Sequence, residues 1–375
     1  MKKVFALLLI ISVVAVSSLV GAAAEPIKIG ANYEVTGGVA TFGTSCVNST
    51  KMYFDTVNKS GGVLGRQLEL VVADNKSEAS EAASAAKKLI SQDKVVALLG
   101  PVTSKNCLSA GPIAQEAKIP MITPTGTNPA VTQVGNFIFR ACFIDDFQGT
   151  VMANFALKTL KAKTAAIFVD NANDYSKGLA KFFKENFIKG GGQIVSEEAF
   201  MAGDKDYRTQ LTKIKMKKPD VIYCPAYYQE DGLVTKQARE LGMDMPILGG
   251  DGWDSADLVK IAGDKALNNV YFSNHYSADS TDPLTQAYVK EYTAKFGSRP
   301  DALAALGYDA AVLMVEAIKK AGSADPGKIR DAMATLKVKG VTGIVTFDAN
   351  RNPVKSAVVI ELKNGVQTYK ETVNP

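Results

Sequence analysis

Short apolar runs alternate with longer stretches of helical period through most of the chain. Strands are expected at 27–31, 67–74, 95–99 and 121–123, with helices at 43–58, 77–92 and 105–117 between them. The segment 58–62, Asn-Lys-Ser-Gly-Gly, is a helix stop followed by a turn. A second set follows: strands at 164–170, 193–200, 220–224 and 247–249, alternating with helices at 175–188, 207–216 and 229–241. Strands interleaved with helices build parallel, doubly wound sheets, so the pattern predicts an α/β protein with two Rossmann-like lobes in tandem. The change of unit falls near 139–145, and no low-complexity linker separates the halves. The tail differs, with amphipathic helices at 284–296, 303–320 and 326–335 and short strands at 343–348, 356–362 and 368–371. A tail ordered in this way can return to both lobes, crossing between them more than once and forming a hinge.

The ends and the composition narrow the class. Met1-Lys2-Lys3, an apolar run to Val20 and Gly21-Ala22-Ala23-Ala24 make a secretory signal peptide over residues 1–24. The run is short for a membrane anchor, and no Cys follows it to carry a lipid. Export without an anchor points to the periplasm. The remaining chain exceeds what one compact core usually supports, which favours two lobes. Its 43 Lys and Arg against 38 Asp and Glu, less Lys2 and Lys3, leave too balanced a charge to argue for nucleic acid or an acidic membrane. Cys46, Cys107, Cys142 and Cys224 would lie in an oxidising compartment. Cys46 and Cys107 both sit early in helices that follow strand-end loops and are candidate neighbours. Four cysteines allow three full pairings, or none if they are buried small hydrophobes.

Two loops carry the chemistry. Leu98-Leu99-Gly100-Pro101-Val102-Thr103-Ser104 and Ile122-Thr123-Pro124-Thr125-Gly126-Thr127 each run from a strand into small hydroxyl residues before a helix. This layout places hydroxyls and free backbone N–H groups at the carboxyl ends of strands, where open α/β sheets bind ligands. A helix start also favours a carboxylate. Asp251, within Gly249-Gly250-Asp251-Gly252-Trp253, follows a strand of the second unit and can pair with an ammonium. Asp254 is the expected cap of the helix from Ser255, which leaves Asp251 for a ligand. Tyr175, Tyr227, Tyr228 and Phe42 all fall at strand-to-helix loops, where an aromatic ring can cover an apolar ligand. For Tyr228 and Trp253, local packing competes with that role. No nucleophile elbow, phosphate loop or dinucleotide fingerprint occurs, and His275 is the one histidine of the chain. These absences favour a binder over an enzyme, and neither cofactor nor metal is expected.

Taken together, these loops resemble the leucine/isoleucine/valine-binding protein family of type I periplasmic solute receptors. The marks are Gly37-Gly38, the 99–104 and 123–129 loops, Phe139-Arg140 leading to Phe147-Gln148-Gly149, Asp174-Tyr175-Ser176-Lys177-Gly178, Tyr227-Tyr228 and Gly250-Asp251-Gly252. The resemblance implies two lobes joined by a three-segment hinge, closing on a ligand that passes to a membrane ABC permease. It assigns residues 25–144 and 275–350 to the N-terminal lobe, and 145–274 and 351–375 to the C-terminal lobe. It implies that Ser104 and Thr127 hold the α-carboxylate of an amino acid, branched-chain or similarly apolar. Thr125, Thr127 and Asp251 would take the ammonium, and Phe42, Val102, Tyr175 and Tyr227 would surround the side chain. Such receptors often carry Glu where this chain has the shorter Asp251, so the ammonium contact shifts or admits a water. A monomer suits a carrier that hands over its cargo. The rivals are a same-fold receptor for an aromatic acid or short amide, a ligand-sensing module, and an exported enzyme. Asp251 argues against the first, because a buried carboxylate facing an acid is costly.

Overall fold

The computed structural model describes residues 24–375, so the expected leader, residues 1–24, lies outside the described residues but for Ala24. The first sheet contains β1 (Ile27–Tyr33), β2 (Leu68–Asp74), β3 (Ala97–Leu99), β4 (Met121–Thr123) and β5 (Ile138–Arg140). All its pairings are parallel and its order is β2-β1-β3-β4-β5. The second contains β6 (Thr164–Asp170), β7 (Gln193–Phe200), β8 (Val221–Tyr223), β9 (Ile247–Gly249) and β10 (Val270–Asn274) in parallel order β7-β6-β8-β9-β10. The two lobes therefore share one doubly wound topology. In each, the order reverses beside the first strand, which opens a crevice at the carboxyl ends.

The chain crosses between sheets three times. It leaves β5 through 141–144 into the helix Asp145–Asn154 and returns from β10 through His275 and Tyr276. The returning helix Ala302–Ala321 packs on the helix Ala40–Lys59, where a Cβ on Gly307 would lie 2.8 Å from Cys46 Cα. After the hairpin β11 (Lys337–Gly340) and β12 (Gly343–Thr346), residues 347–356 cross again. β13 (Ala357–Lys363) and β14 (Val366–Val373) then extend the second sheet antiparallel from β10. The fold is the expected two-lobed α/β architecture with a three-segment hinge.

Three strands escape the hydrophobic pattern: β5, β10 and β11. β5 and β10 are short and buried at every position, and such runs show no alternation. Two local expectations are corrected. The N-cap of the helix Ala256–Ala262 is Ser255, whose hydroxyl accepts from Asp257 N at 3.2 Å. Asp254 instead accepts from Asn274 Nδ2 and Ala302 N, both at 2.8 Å, and from Gln367 Nε2 at 2.7 Å. The four cysteines are free and buried. The Cys46 thiol points to Leu303 O and the Cys107 thiol to Pro101 O, so these two face different elements rather than each other.

Candidate functional site

The first wall of the cleft forms where β1 and β3 part. Gly100 adopts φ +87°, and a Cβ there would lie 2.3 Å from Asn32 O and 2.6 Å from the Tyr33 ring, so only glycine fits. The following turn is held by Glu34, which the sequence reading passed over. Its buried carboxylate accepts from Val102 N, Thr103 N and Thr103 Oγ1, each at 3.0 Å, and from Asn106 Nδ2 at 2.9 Å. The N–H groups expected to be free at residues 102 and 103 are thus engaged. Gly126 N is engaged too, donating to Thr123 Oγ1 at 2.8 Å. Ser104 opens the helix Ser104–Glu116, so its own N–H has no intrahelical acceptor. The Ser104 hydroxyl oxygen accepts from Asn128 N at 3.1 Å, which leaves its proton to donate elsewhere. Thr125 Oγ1 donates to Val102 O at 2.9 Å and so cross-braces the two loops. Behind them the buried Arg140 guanidinium donates to Gly126 O at 2.6 Å and Asn128 O at 2.9 Å.

The second wall centres on Asp251, at the start of the short helical turn Asp251–Trp253 after β9. Its Oδ1 accepts from Tyr175 OH at 2.8 Å and Gln148 Nε2 at 2.9 Å, and its Oδ2 contacts His275 Nε2 at 3.0 Å. A Cβ on Gly250 would lie 2.6 Å from Tyr175 OH, so glycine lets the phenol reach the carboxylate. Burial works to raise the Asp251 carboxyl. The bonds from His275, Gln148 and Tyr175 more than offset it, and the group titrates below the usual carboxylate range. Tyr175 OH also accepts from Gly252 N at 3.0 Å. Trp253 is packing: its indole donates to Cys224 O at 2.9 Å, and the residue is fully buried.

A narrow cavity of about 10 Å³, room for little more than a water, lies between these walls. Phe42, Val102, Thr103, Ser104, Thr125 and Leu303 line it from one side, and Tyr175, Tyr227, Asp251 and Gly252 from the other. The Tyr175 and Tyr227 rings stack with centroids 5.2 Å apart, and Phe42 meets Tyr227 edge-on at 5.7 Å across the lobes. No Lys or Arg is among the lining residues. Thr41 Oγ1 and Ser255 Oγ, 3.0 Å apart, and Asn128 Nδ2 donating to Asp174 O at 3.1 Å bridge the lobes beside it. A larger space of about 640 Å³ follows the same seam. Its cations are already paired, Lys260 with Asp257 at 2.6 Å and Arg299 with Asp279 at 2.7 Å. The smaller cavity is the better candidate because both walls present oriented polar groups to an apolar interior.

Of the residues singled out in the sequence, Phe42, Val102, Ser104, Thr125, Tyr175, Tyr227 and Asp251 border this cavity. Thr127 does not line it. Its buried hydroxyl makes no close hydrogen bond among the described residues, the Asp145 carboxyl lies in looser reach of it, and Thr127 O accepts from Asp145 N at 3.1 Å. Both carboxyl oxygens of Asp145 are also buried without a close partner, and burial pushes this group well above its usual range. Sequence reasoning missed Leu303, which lines the cavity, Glu34, Gln148 and His275, which bond to residues that line it, and Asp145, which bonds to Thr127. Glu34 and Asp145 follow directly on a strand and a crossing, and that position was the available signal. Leu303 arrives from a helix remote in sequence, and only the third dimension brings it here.

Residues 26–367 match the family described as periplasmic binding protein. A Leu/Ile/Val-binding protein, BraC3, of Rhizobium johnstonii is 35% identical over 84% of this chain and 84% of its own. The solved leucine binding protein LivK of Thermotoga maritima is 41% identical, with a TM-score of 0.89 over 93% of this chain and 99% of its own. The branched-chain amino acid transporter substrate binding protein LivJ of Streptococcus pneumoniae, solved with isoleucine, is 39% identical. Its TM-score is 0.90 over 93% of this chain and all of its own.

Proposed function

The chain belongs to the periplasmic binding protein family, and from that premise we propose that it captures a free apolar amino acid (leucine, isoleucine or valine) and delivers it to a membrane ABC permease. One observation carries the reading. A single small cavity has a neutral hydroxyl donor, Ser104, on one lobe and an ionised acid, Asp251, on the other. A zwitterion satisfies both walls at once. Ser104 and its helix start would receive the α-carboxylate, and Asp251 the ammonium. Thr125 completes the ammonium side, and Thr127, which does not line the cavity, would join it only on a shift of the 123–127 loop. Asp145 lies next to Thr127, but burial holds its carboxyl toward the neutral form, so the negative charge on this side is that of Asp251. Phe42, Val102, Leu303, Tyr175 and Tyr227 would enclose the aliphatic side chain once the lobes have parted to admit it.

Closure follows from this division. A ligand that makes half of its contacts with each lobe binds the closed state more tightly than the open one and draws the equilibrium toward it. The moving bodies in this reading are 25–144 with 275–350 and 145–274 with 351–375. Sheet membership supports the division, since β10 precedes the second crossing and β13 follows the third. The permease would read the closed shape. Among the described residues no helix is long and apolar enough to cross a membrane. The reading places an unanchored monomer in the periplasm. The test is a panel of the twenty amino acids against ligand-stripped protein, read as melting shifts. Leucine, isoleucine or valine should raise the midpoint in a concentration-dependent way. No shift with any amino acid sinks the reading, and steady turnover of the bound compound would replace it with an enzyme.

A further inference from the structure

We propose that Glu34 sets which ligands the cleft admits: a buried anion beneath the carboxylate-receiving loop, it favours amino acids over plain carboxylic acids of the same shape. The inference deepens the reading of the cleft as an amino-acid site and rests on it.

Glu34 stands at the carboxyl end of β1, at the point where the strand order reverses. It is fully buried, and four donors converge on its two oxygens: Val102 N, Thr103 N, Thr103 Oγ1 and Asn106 Nδ2. Burial pushes the Glu34 carboxyl up from its ordinary range, and the bonds from Thr103, Val102 and Asn106 pull it back; four donors with no acceptor around one carboxyl match the ionised form. The arrangement has two effects. It fixes the 102–104 turn, so that Ser104 begins its helix facing the cavity. It also occupies two backbone N–H groups that would otherwise offer positive dipoles to a ligand anion. A ligand carboxylate therefore meets neutral donors at Ser104 with a negative charge directly behind Val102 and Thr103, both of which line the cavity. Across the cavity stands Asp251, which its own hydrogen bonds keep ionised. The buried cation on this side, Arg140, is bonded to the carbonyls of Gly126 and Asn128 and does not line the cavity. A monoanionic ligand thus enters a site of its own sign, whereas an amino acid brings an ammonium to Asp251. In a site with little water this difference is large.

The experiment is calorimetric titration of ligand-stripped wild-type, Glu34→Gln and Glu34→Asp protein with leucine, with 4-methylpentanoate (leucine lacking its amino group) and with leucinamide. Wild type should prefer leucine over 4-methylpentanoate by at least about 100-fold. Glu34→Gln should narrow that preference by about tenfold, mainly through tighter binding of the acid. Glu34→Asp keeps the charge and should weaken both ligands while leaving the preference within about threefold of wild type. An equal loss of both ligands in Glu34→Gln, or an equal narrowing in both variants, overturns the proposal and leaves Glu34 a structural brace. Should Glu34→Gln fail to fold, wild type still decides: leucinamide must bind more tightly than 4-methylpentanoate, and the reverse order overturns the charge argument. Wild type that binds no amino acid overturns the amino-acid reading itself. Wild type that binds leucine with an unmoved preference in Glu34→Gln overturns the role of Glu34 alone.

Discussion

The imidazole of His275 lies 3.0 Å from the Asp251 carboxylate, with both side chains almost wholly out of solvent. The ring stacks on Phe143 with centroids 3.8 Å apart, so a residue of the second crossing rests on one of the first. Burial holds the imidazole below its ordinary range, which keeps it neutral. Its Nε2–H then donates to Asp251, while Nδ1 has no partner among the described residues. Gln148 and Tyr175 complete the shell from elements that follow the first crossing. Asp251 is therefore aimed before the lobes meet, and a ligand ammonium need not reorganise it.

Asp251→Asn tests that placement. It keeps the shape, removes the charge and leaves three donors facing an amide. Leucine affinity should fall by about 100-fold or more, as for loss of one partner of a buried charged pair. Titration of ligand-stripped protein measures it, and a loss under about threefold removes Asp251 from the ammonium site.

The pH dependence of stability isolates His275. Its folded pKa lies below its unfolded value near 6.5, so the unfolded chain takes up the proton first. The stability that comes from this group is fully present above about pH 6.5 and is lost as pH falls through the folded pKa. His275→Gln retains a donor and should flatten the acid side of the melting curve between pH 7 and 5. An unchanged acid limb places the proton uptake elsewhere.

The candidate cavity lies where the strand-end loops meet, and those loops were legible because Gly, Pro and hydroxyl residues announce them. Ser104, Thr125 and Asp251 could be read from such punctuation. The groups that aim them could not. Glu34 braces a loop that follows a strand distant in sequence, His275 reaches Asp251 from the end of β10, and Leu303 arrives on the returning helix. Pattern shows which residues stand at a strand end. It does not show that Glu34 has already taken the N–H groups of residues 102 and 103. For the same reason Asp254 read as a helix cap, when its partners Asn274, Ala302 and Gln367 come from three separate segments.

Asp301 gives a linkage of opposite sign. It caps the helix Ala302–Ala321 through Ala304 N at 2.7 Å and accepts from Ser45 Oγ at 2.6 Å. Burial, with the nearby Asp254 charge, raises its carboxyl to about 7. The folded protein thus holds a proton that the unfolded chain releases near pH 4. The stability from this group is fully present below the unfolded pKa and is lost as pH rises through about 7. Asp301→Asn keeps the cap and cannot ionise. Its melting temperature relative to wild type should rise from pH 5 to pH 8, and a difference constant across that range rejects the assignment.

Thr127→Val separates binding from folding. The Thr127 hydroxyl is fully buried and makes no close hydrogen bond among the described residues, with the Asp145 carboxyl in looser reach of it, so the folded protein gains little from it and bears its desolvation. Valine fills nearly the same volume without the hydroxyl. The unliganded variant should therefore melt at or above the wild-type temperature, which reverses the usual outcome of altering a buried polar residue. If that hydroxyl is held ready for a ligand, leucine affinity should drop by about tenfold in the same variant, the cost of one hydrogen bond to a charged group. Differential scanning calorimetry and titration on one preparation read both quantities. A lower melting temperature with unchanged affinity would show that the hydroxyl serves the fold and not the ligand.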